Sequence, residues 1–414
     1  SKTWSRGAPP APPPPGKQPA LTPMGCAQSN AQAAAATPES VEVVSAKAFH
    51  GEYALRDRLG AGNYGVVYSA ARAGHATDLA VKVVDLRREG ARGTPFDGDG
   101  SEAVDLDRSR QVRCEVRMMQ AAAGCDRVCR SFGLYMEGGI GYIVMEHCGV
   151  SLYHGLDMHP TLCESAYRQV FRGMLAGLSF LHSRFIVHRD VKPENFMCSG
   201  TAVKLCDFGF ARRLSLVDNS VKGVCGTPVF MAPEVLTDQP YDTKADLWSL
   251  GVTAYVLCFG RFPYTSRATI AGMSELLGEC QHDPPFKDDD GAVSVPMIHW
   301  IRKLLWRNPQ NRSCSKSASL GFPFKEPSKI TLRPRLRSAR CCGAFGAGSR
   351  RPSGVAALEK RLHDLQAEHH KSHSGDHGSS EESTDVDSSR VSECKMRRPE
   401  SKPAALNSEP CCFT

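Results

Sequence analysis

The hydrophobic period of the chain changes near residue 150, and this change constrains the fold more than any other feature. Up to that point, apolar residues alternate along short runs rich in Val, Ile and Tyr, which is typical of β-strands. The runs lie at 66–70, 79–84 and 142–146 and are bounded by glycine. They predict a small β-sheet that is interrupted by one helix near 106–121.

Beyond residue 150, apolar residues recur three and four positions apart, which places them on one face of a helix. This pattern covers 167–181, 245–259 and 297–306. The longest candidate for an apolar membrane span, Leu247 to Gly260, is shorter than the roughly 18 residues required, so we expect a buried helix there. The sequence therefore predicts an α+β fold, with a small β-rich lobe and a larger α-helical lobe that enclose a cleft.

These patterns place one domain at 53–325, with a β-rich N-lobe at about 53–146 and a helical C-lobe at about 149–325. Residues 1–50 are rich in Pro and Ala and lack apolar periodicity. A segment of this composition does not bury enough apolar surface to fold alone, so we expect a disordered tail.

The C-terminal part, 326–414, differs from the domain in its charge pattern. Between 329 and 351 it carries seven basic residues and no acidic one, and from 372 to 392 it is rich in Ser and acidic residues. A heptad-like apolar pattern predicts a short helix near 355–368. We expect the rest of this tail to be largely disordered.

The overall composition excludes several classes of protein. The formal net charge of +7 is small for 414 residues, and the basic tail lacks interleaved aromatic residues, so we expect no nucleic-acid partner. The 17 cysteines show no paired CxxC spacing of a zinc site, and no secretory signal opens the sequence. Reduced thiols in a cytoplasmic protein are the simplest expectation.

A glycine-rich turn lies between two of the predicted strands. Its sequence is Gly60-Ala61-Gly62-Asn63-Tyr64-Gly65-Val66-Val67. Glycine lets backbone N–H groups approach a phosphate closely, and the strand that follows favours a strand–loop–strand flap over a dinucleotide-binding loop and helix. An ordinary hairpin turn remains the alternative for this segment taken alone.

Several polar motifs follow one another along the chain, and their order indicates a function that no single motif would. Lys82 lies within an apolar strand, and Glu115 in the predicted helix is a candidate ion-pair partner for it. The segment His188-Arg189-Asp190-Val191-Lys192-Pro193-Glu194-Asn195 follows the long amphipathic helix. Asp207-Phe208-Gly209, Gly226-Thr227-Pro228 and Ala232-Pro233-Glu234 come after it in that order.

With these motifs the sequence resembles the eukaryotic protein kinases over about residues 53–325. Lys192, two residues after Asp190, and the Gly226-Thr227-Pro228 motif resemble the serine/threonine branch. The stretch 229–264 is similar to the calcium/calmodulin-dependent and calcium-dependent kinase group, although 326–414 contains no EF-hand calcium loop. The resemblance implies the bilobal kinase fold and transfer of the γ-phosphoryl of ATP to Ser or Thr. A catalytically weak pseudokinase or scaffold is the alternative.

The resemblance also implies a role for each matching residue. Asp190 would orient the acceptor hydroxyl, Lys192 would offset charge on the moving phosphoryl group, and Lys82, held by Glu115, would contact the phosphates of ATP. Asn195 and Asp207 would hold Mg²⁺. The remaining nucleotide-binding positions are Leu59, Gly60, Ala61, Gly62, Asn63, Tyr64, Gly65, Val66, Val67, Glu146 and Cys148.

Three positions depart from the family pattern or lie away from its chemistry. The stretch 87–105, between Lys82 and Glu115, is longer than the family usually has there. Gly223 stands where many relatives carry a phosphorylated threonine, which leaves Ser215 and Ser220 as candidate phosphorylation sites. We expect Glu234 to form a structural ion pair with Arg312.

The expected partners are protein substrates with Ser or Thr acceptors. Met24-Gly25-Cys26-Ala27-Gln28-Ser29 matches an acylation motif, so we expect membrane association of an otherwise cytoplasmic protein if translation starts at Met24. A chance match is the alternative. The basic segment 329–351 is a weak candidate for calmodulin binding, because Pro334 interrupts any helix through it.

Overall fold

The computed structural model describes most of the predicted domain. The described residues are 45, 47–62, 65–72, 78–88, 104–158, 162–200, 202–264, 269–279, 284–286 and 293–323, together with 331–332 and 362. Residues 1–44, which include the acylation motif, lie outside them. Within the described part, no helix is both long and apolar enough to cross a bilayer.

The N-lobe contains one five-stranded antiparallel sheet in the order β1-β2-β3-β5-β4. Its strands are β1 Tyr53–Gly62, β2 Gly65–Arg72, β3 Asp78–Asp85, β4 Ser131–Glu137 and β5 Ile140–Glu146. Helix α1, Leu106–Ala121, packs against β4 and β5. The predicted sheet and helix are therefore confirmed.

The period of two along β3 divides its side chains between two clusters. Val81 and Val83 join an outer cluster in which Phe49 stacks on Tyr142 with ring centroids 4.1 Å apart. Val84 belongs instead to the main core that continues into the C-lobe. Lys82 lies on the same face as Val84, so its side chain is directed toward α1 and the other lobe.

The C-lobe is mainly helical, as its sequence period predicts. Its helices are α2 Leu152–Met158, α3 Glu164–His182, α4 Pro233–Leu236, α5 Lys244–Phe259, α6 Ile270–Glu279, α7 Val295–Leu304 and α8 Ser315–Leu320. Its short strands are β6 Leu162–Cys163, β7 Ile186–Val187, β8 Phe196–Ser199, β9 Ala202–Leu205, β10 Arg212–Arg213 and β11 Thr331–Leu332.

Two of the helices show why the C-lobe folds around them. The apolar stripe of α3 is buried along its whole length, from Tyr167 to Leu181. Helix α5 is buried on nearly all sides, which confirms the predicted core helix. Helix α7 begins two residues earlier than its sequence pattern indicates, because Ser294 accepts a hydrogen bond from Met297 N at its N-terminus.

The structure describes only three positions of the C-terminal tail, Thr331, Leu332 and Leu362. Thr331–Leu332 pairs with Leu162–Cys163 as an antiparallel strand, because a neighbouring strand satisfies its backbone groups. Leu362 has helical backbone, within the helix predicted near 355–368, and lies buried in the outer N-lobe cluster that also contains Phe49 and Tyr142. The other residues of 326–414 lie outside the described part.

Candidate active site

One cluster of charged side chains joins three separate elements in the cleft. Lys82 Nζ on β3 donates to Glu115 Oε1 on α1 at 2.8 Å. It also donates to Asp207 Oδ1, two residues beyond β9, at 2.9 Å. Lys82 and Glu115 are buried, whereas the Asp207 carboxylate remains partly exposed. The structure therefore brings together three residues that the sequence separates by 125 positions.

The position of Glu115 follows from the period of α1. The buried face of this helix consists of Val112, Glu115, Val116 and Met119, so a carboxylate lies within an apolar stripe. Asp105 begins the helix by accepting hydrogen bonds from the N–H groups of Asp107 and Arg108. A buried carboxylate needs a cation, and Lys82 supplies it despite the long insertion between them.

The charges in this cluster set one another's protonation. Burial raises the pKa of Asp207, but the adjacent Lys82 ammonium outweighs burial and lowers it to about 2. Burial alone lowers the pKa of Lys82, and the carboxylates of Asp207 and Glu115 reverse this and raise it. The lysine is therefore a cation and Asp207 an anion at neutral pH.

A second polar cluster surrounds Asp190, which is 5% exposed. Its Oδ2 atom accepts hydrogen bonds from Lys192 Nζ at 2.7 Å and from Asn195 Nδ2 at 3.0 Å. Its Oδ1 atom accepts one from Thr227 Oγ1 at 2.8 Å, and Lys192 Nζ also donates to Thr227 Oγ1 at 2.9 Å. These bonds fix the orientation of the Asp190 carboxylate.

Asp246 on α5 anchors the loop that carries Asp190. The Asp246 carboxylate accepts hydrogen bonds from the backbone N–H groups of His188 at 2.9 Å and Arg189 at 2.8 Å. His182 Nε2 lies 2.9 Å from the same carboxylate. Burial raises the pKa of Asp246, but hydrogen bonding to His182 and its charge outweigh burial and lower it. Asp246 is therefore an ionised anchor for the loop.

Backbone conformation is also specific at this loop. Arg189 and Asp207 have φ values of 70° and 58°, which non-glycine residues rarely adopt. Gly226 has φ of 106°, and a Cβ atom there would lie 2.4 Å from the Arg189 carbonyl oxygen. Only glycine allows the segment before Thr227 to approach Asp190 this closely.

The two clusters are joined through the backbone. Cys206 N donates to the carbonyl oxygen of Asn195 at 2.8 Å. The His188 ring packs edge-on against Phe208, with centroids 5.2 Å apart, and Phe208 is fully buried in the main core. Since Phe208 points into the core, the adjacent Asp207 points toward Lys82 and the cleft.

The glycine-rich turn connects β1 and β2 as a β-hairpin, so strand follows it, as predicted, and not a helix. Gly62 pairs with Gly65, and Asn63 and Tyr64 lie outside the described residues. The described positions on the first strand of the turn are Leu59, Gly60, Ala61 and Gly62. Leu59 is half-exposed, and nothing lies within 4 Å of a Cβ atom built on Gly60 or Gly62.

The two valines that end this turn face opposite sides of the sheet. Val67 pairs with Lys82 across β2 and β3, so their side chains share a face. Val66 pairs with Val83, and its side chain is buried in the outer cluster on the opposite face. The Val66 side chain therefore faces away from Lys82, because successive residues of a strand face opposite sides, and the predicted nucleotide-binding role of this position would fall to its backbone.

The chain between the lobes carries the other two predicted nucleotide-binding residues. Glu146, at the end of β5, forms an ion pair with Lys204 on β9 and accepts a hydrogen bond from Arg130 N at 3.3 Å. Cys148 is buried close to Cys129 and Cys206. The side chains of both predicted residues therefore contact other residues of the protein: Glu146 contacts Lys204 and Arg130, and Cys148 lies beside two other cysteines.

Two functional residues do not appear among the sequence-predicted site residues. Thr227 contacts Asp190 and Lys192, and Asp246 holds the loop that carries Asp190. Both lie within stretches that carry the family resemblance, so their motif membership is the signal that identifies them. The expected pair of Glu234 and Arg312 is present, with two hydrogen bonds of 2.5 and 3.1 Å.

Comparison with known proteins agrees with this geometry. Residues 53–320 match the sequence profile of the protein kinase domain. Serine/threonine-protein kinase ATG1a of Arabidopsis thaliana is 28% identical over 309 residues, which cover 73% of this chain and 46% of the relative. Serine/threonine-protein kinase sid1 of Schizosaccharomyces pombe is 32% identical over 270 residues, which cover 62% and 53%.

Serine/threonine-protein kinase fused of Drosophila melanogaster is 32% identical over 219 residues, which cover 53% of this chain and 25% of the relative. The chain thus spans about half the length of these relatives or less. None of the three is named as a calcium/calmodulin-dependent kinase, so that finer placement stays a prediction. The profile match and the arrangement of Lys82, Asp190 and Asp207 lead to one conclusion: the chain belongs to the protein kinase family and carries a domain of the serine/threonine type.

Proposed function

We propose that the chain is a protein serine/threonine kinase that transfers the γ-phosphoryl group of ATP to Ser or Thr hydroxyls of proteins. The observation that carries this proposal is the convergence of two clusters in one cleft. One is Lys82 with Glu115 and Asp207, and the other surrounds Asp190. Phosphoryl transfer requires charge neutralisation and positioning, and these clusters offer both.

Each cluster has its own task in this proposal. The Lys82 ammonium, fixed by two carboxylates, binds phosphate oxygens of the nucleotide. Asp190 accepts a hydrogen bond from the acceptor hydroxyl and aligns its oxygen for attack. Lys192, which bridges Asp190 and Thr227, places a positive charge beside the transferred group.

The residues present fit a magnesium ion. Asn195 Nδ2 donates to both the carbonyl oxygen and the carboxylate of Asp190, so its Oδ1 atom is directed away from them as a ligand. Asp207 is ionised and partly exposed. Carboxylate and amide oxygens are ligands that Mg²⁺ prefers, and the ion would neutralise charge on the phosphates.

The test is transfer of label from γ-labelled ATP to a panel of Ser- and Thr-containing peptides. We expect Mg²⁺-dependent incorporation, and a loss of at least about 10²-fold in Lys82→Met, because the phosphates lose a preorganised cation. Incorporation no higher than that of the variant would contradict kinase activity. It would favour the alternative of a pseudokinase or scaffold that acts by binding proteins.

The segment 211–227, which contains Gly223, Ser215 and Ser220, supports activity without phosphorylation of its own residues. Arg189 Nη1 donates to Tyr241 Oη at 3.2 Å, and Tyr241 Oη donates to the carbonyl oxygen of Gly223 at 2.8 Å. Val221 and Tyr241 also exchange two backbone hydrogen bonds, of 2.9 and 3.0 Å. Burial raises the pKa of Tyr241 to about 12, so its hydroxyl stays protonated and neutral. Gly223 has no hydroxyl to phosphorylate, and Tyr241 holds the segment in its place.

We expect Tyr241→Phe to weaken the ordering of 211–227 by about 0.5–1.5 kcal/mol, because the Arg189 guanidinium and the Gly223 carbonyl oxygen lose a hydrogen-bond partner. Hydrogen exchange of that segment and peptide phosphorylation measure the effect, with Tyr68→Phe in the β-sheet as the matched control. Phosphatase treatment of the unmodified protein should leave its activity unchanged. A fall in activity on that treatment would contradict the proposal and point to Ser215 or Ser220.

For the location of the protein, the sequence supports a cytoplasmic kinase that attaches to membranes if translation starts at Met24. Gly25 and Cys26 would then carry two acyl chains, which give stable anchoring where one is marginal. Fractionation of cells that express the native gene tests this. Gly25→Ala should move the protein from the membrane to the soluble fraction, and an unchanged distribution would contradict acylation. Calmodulin binding by 329–351 is the weaker proposal, which pull-down with and without calcium tests.

A further inference from the structure

Three cysteine sulfur atoms meet beside the predicted nucleotide cleft. The Sγ atoms of Cys129, Cys148 and Cys206 all lie within 4.8 Å of one another. Cys129 and Cys148 are buried at 2% and 6% exposure, and Cys206 is half-buried. Among the described residues, this is the one group of three or more Cys, His, Asp or Glu side chains with ligand atoms this close together.

The three cysteines come from different parts of a rigid frame. Cys129 precedes β4, and its backbone N–H donates to the carbonyl oxygen of Leu205 at 2.9 Å. Cys148 follows β5 in the chain between the lobes, and Cys206 connects β9 to Asp207. Sulfur positions are also fixed by contacts with carbonyl oxygens. Cys129 Sγ lies 3.7 Å from Glu146 O, and Cys206 Sγ lies 3.8 Å from Lys204 O.

The spacing of the sulfur atoms is compatible with thiolate coordination of a metal ion. Zn–S bonds of about 2.3 Å in tetrahedral geometry place the sulfur atoms ~3.8 Å apart. The observed limit of 4.8 Å accommodates this with side-chain shifts of about 1 Å or less. Three ligands leave a fourth position for water or another donor. Sulfur ligands select soft or borderline ions over Mg²⁺, so this site is chemically distinct from Asp207 and Asn195.

We propose that Cys129, Cys148 and Cys206 form a binding site for one thiophilic metal ion of the Zn²⁺ class. Binding forms three metal–sulfur bonds and releases the thiol protons to solvent, with no change in oxidation state. The ion would link the chain between the lobes to the residue preceding Asp207. This site does not depend on the proposed transfer reaction. Of the residues assigned to that reaction, the site shares only Cys148.

The experiment is titration of the reduced, metal-free full chain with Zn²⁺ against a chromogenic competing chelator. The unmodified protein is compared with Cys129→Ser, Cys148→Ser and Cys206→Ser. A matched control carries Ser at Cys114, Cys125 and Cys163, three described cysteines outside the cluster. We expect one Zn²⁺ site per chain whose affinity falls at least about tenfold in each cluster variant and stays unchanged in the control.

Equal zinc affinity and stoichiometry in the cluster variants and the control would overturn the proposal. A disulfide within the cluster would also overturn it. Alkylation under the same conditions, followed by mass spectrometry, detects such a disulfide. Thermal melting of each variant shows whether it is folded. Since Ser is smaller and more polar than Cys, Cys→Ala variants of the same positions repeat the test. Co²⁺ added to the unmodified protein gives a second readout, because thiolate-to-metal charge transfer appears only with sulfur ligands.

Discussion

Asp190→Asn is expected to lower the turnover number for peptide phosphorylation by at least about 10²-fold and to leave the affinity for ATP nearly unchanged. The carboxylate of Asp190 accepts hydrogen bonds from Lys192, Asn195 and Thr227 and has no contact with Lys82 among those the structure gives. In the proposed reaction Asp190 orients the acceptor hydroxyl, and the Lys82 cluster binds the nucleotide. Steady-state kinetics and equilibrium binding of ATP separate the two effects.

The asparagine side chain has nearly the same shape as aspartate, so the fold of this variant should be retained. Thermal melting checks this directly. Asp126→Asn is the matched control, because the Asp126 side chain is 79% exposed and forms its ion pair with Arg127, which belongs to neither cluster. Loss of ATP affinity equal to the loss of turnover would contradict the division of tasks between the two clusters.

Arg312→Ala is expected to lower the free energy of unfolding by about 3–5 kcal/mol, because it leaves the buried Glu234 carboxylate without a cation. The Arg312 side chain is fully buried and makes two hydrogen bonds to Glu234. It also donates to the carbonyl oxygens of Trp306, Lys244 and Arg307. Those oxygens lose their partner in the same substitution, which adds to the cost.

Denaturant unfolding measures the effect, with Arg56→Ala as the control. Arg56 and Asp78 form an ion pair of 3.2 Å whose side chains are 56% and 62% exposed, and such pairs contribute about 0–1 kcal/mol. In the double variant Arg312→Met with Glu234→Leu, much of the stability should return, because no unpaired charge remains buried. A loss for Arg312→Ala no larger than that for Arg56→Ala would contradict the expectation.

The elements with strong local patterns were predictable from the sequence. Helix α1 spans Leu106–Ala121, which is the range that the sequence predicts, and the stripe of α3 is buried from Tyr167 to Leu181. A helix or strand imposes its period on the chain, so a regular apolar pattern is visible before the fold is known. The strand at Thr331–Leu332 and the burial of Leu362 have no such local pattern, since both depend on a distant partner.

The candidate site also has a part that the sequence predicts and a part that only the structure shows. The motifs identify Lys82, Asp190 and Asp207 one by one, but the hydrogen bonds that orient them include Thr227 and Asp246, which lie far along the chain. The motif gives the position of Val66 in the glycine-rich turn, whereas the register of the sheet decides that its side chain faces away from Lys82.

By itself, the sequence determined that this chain has a β-rich lobe, a helical lobe and the residue types that phosphoryl transfer requires. Backbone hydrogen bonding gives helices, strands and turns fixed periods and residue preferences, and these are visible in the order of neighbouring residues. Only the tertiary structure decided that Lys82 binds Glu115 across the insertion, and that Cys129, Cys148 and Cys206 meet although they lie 19 and 58 residues apart. Contacts of this kind come from the packing of whole elements, which no spacing along the chain encodes.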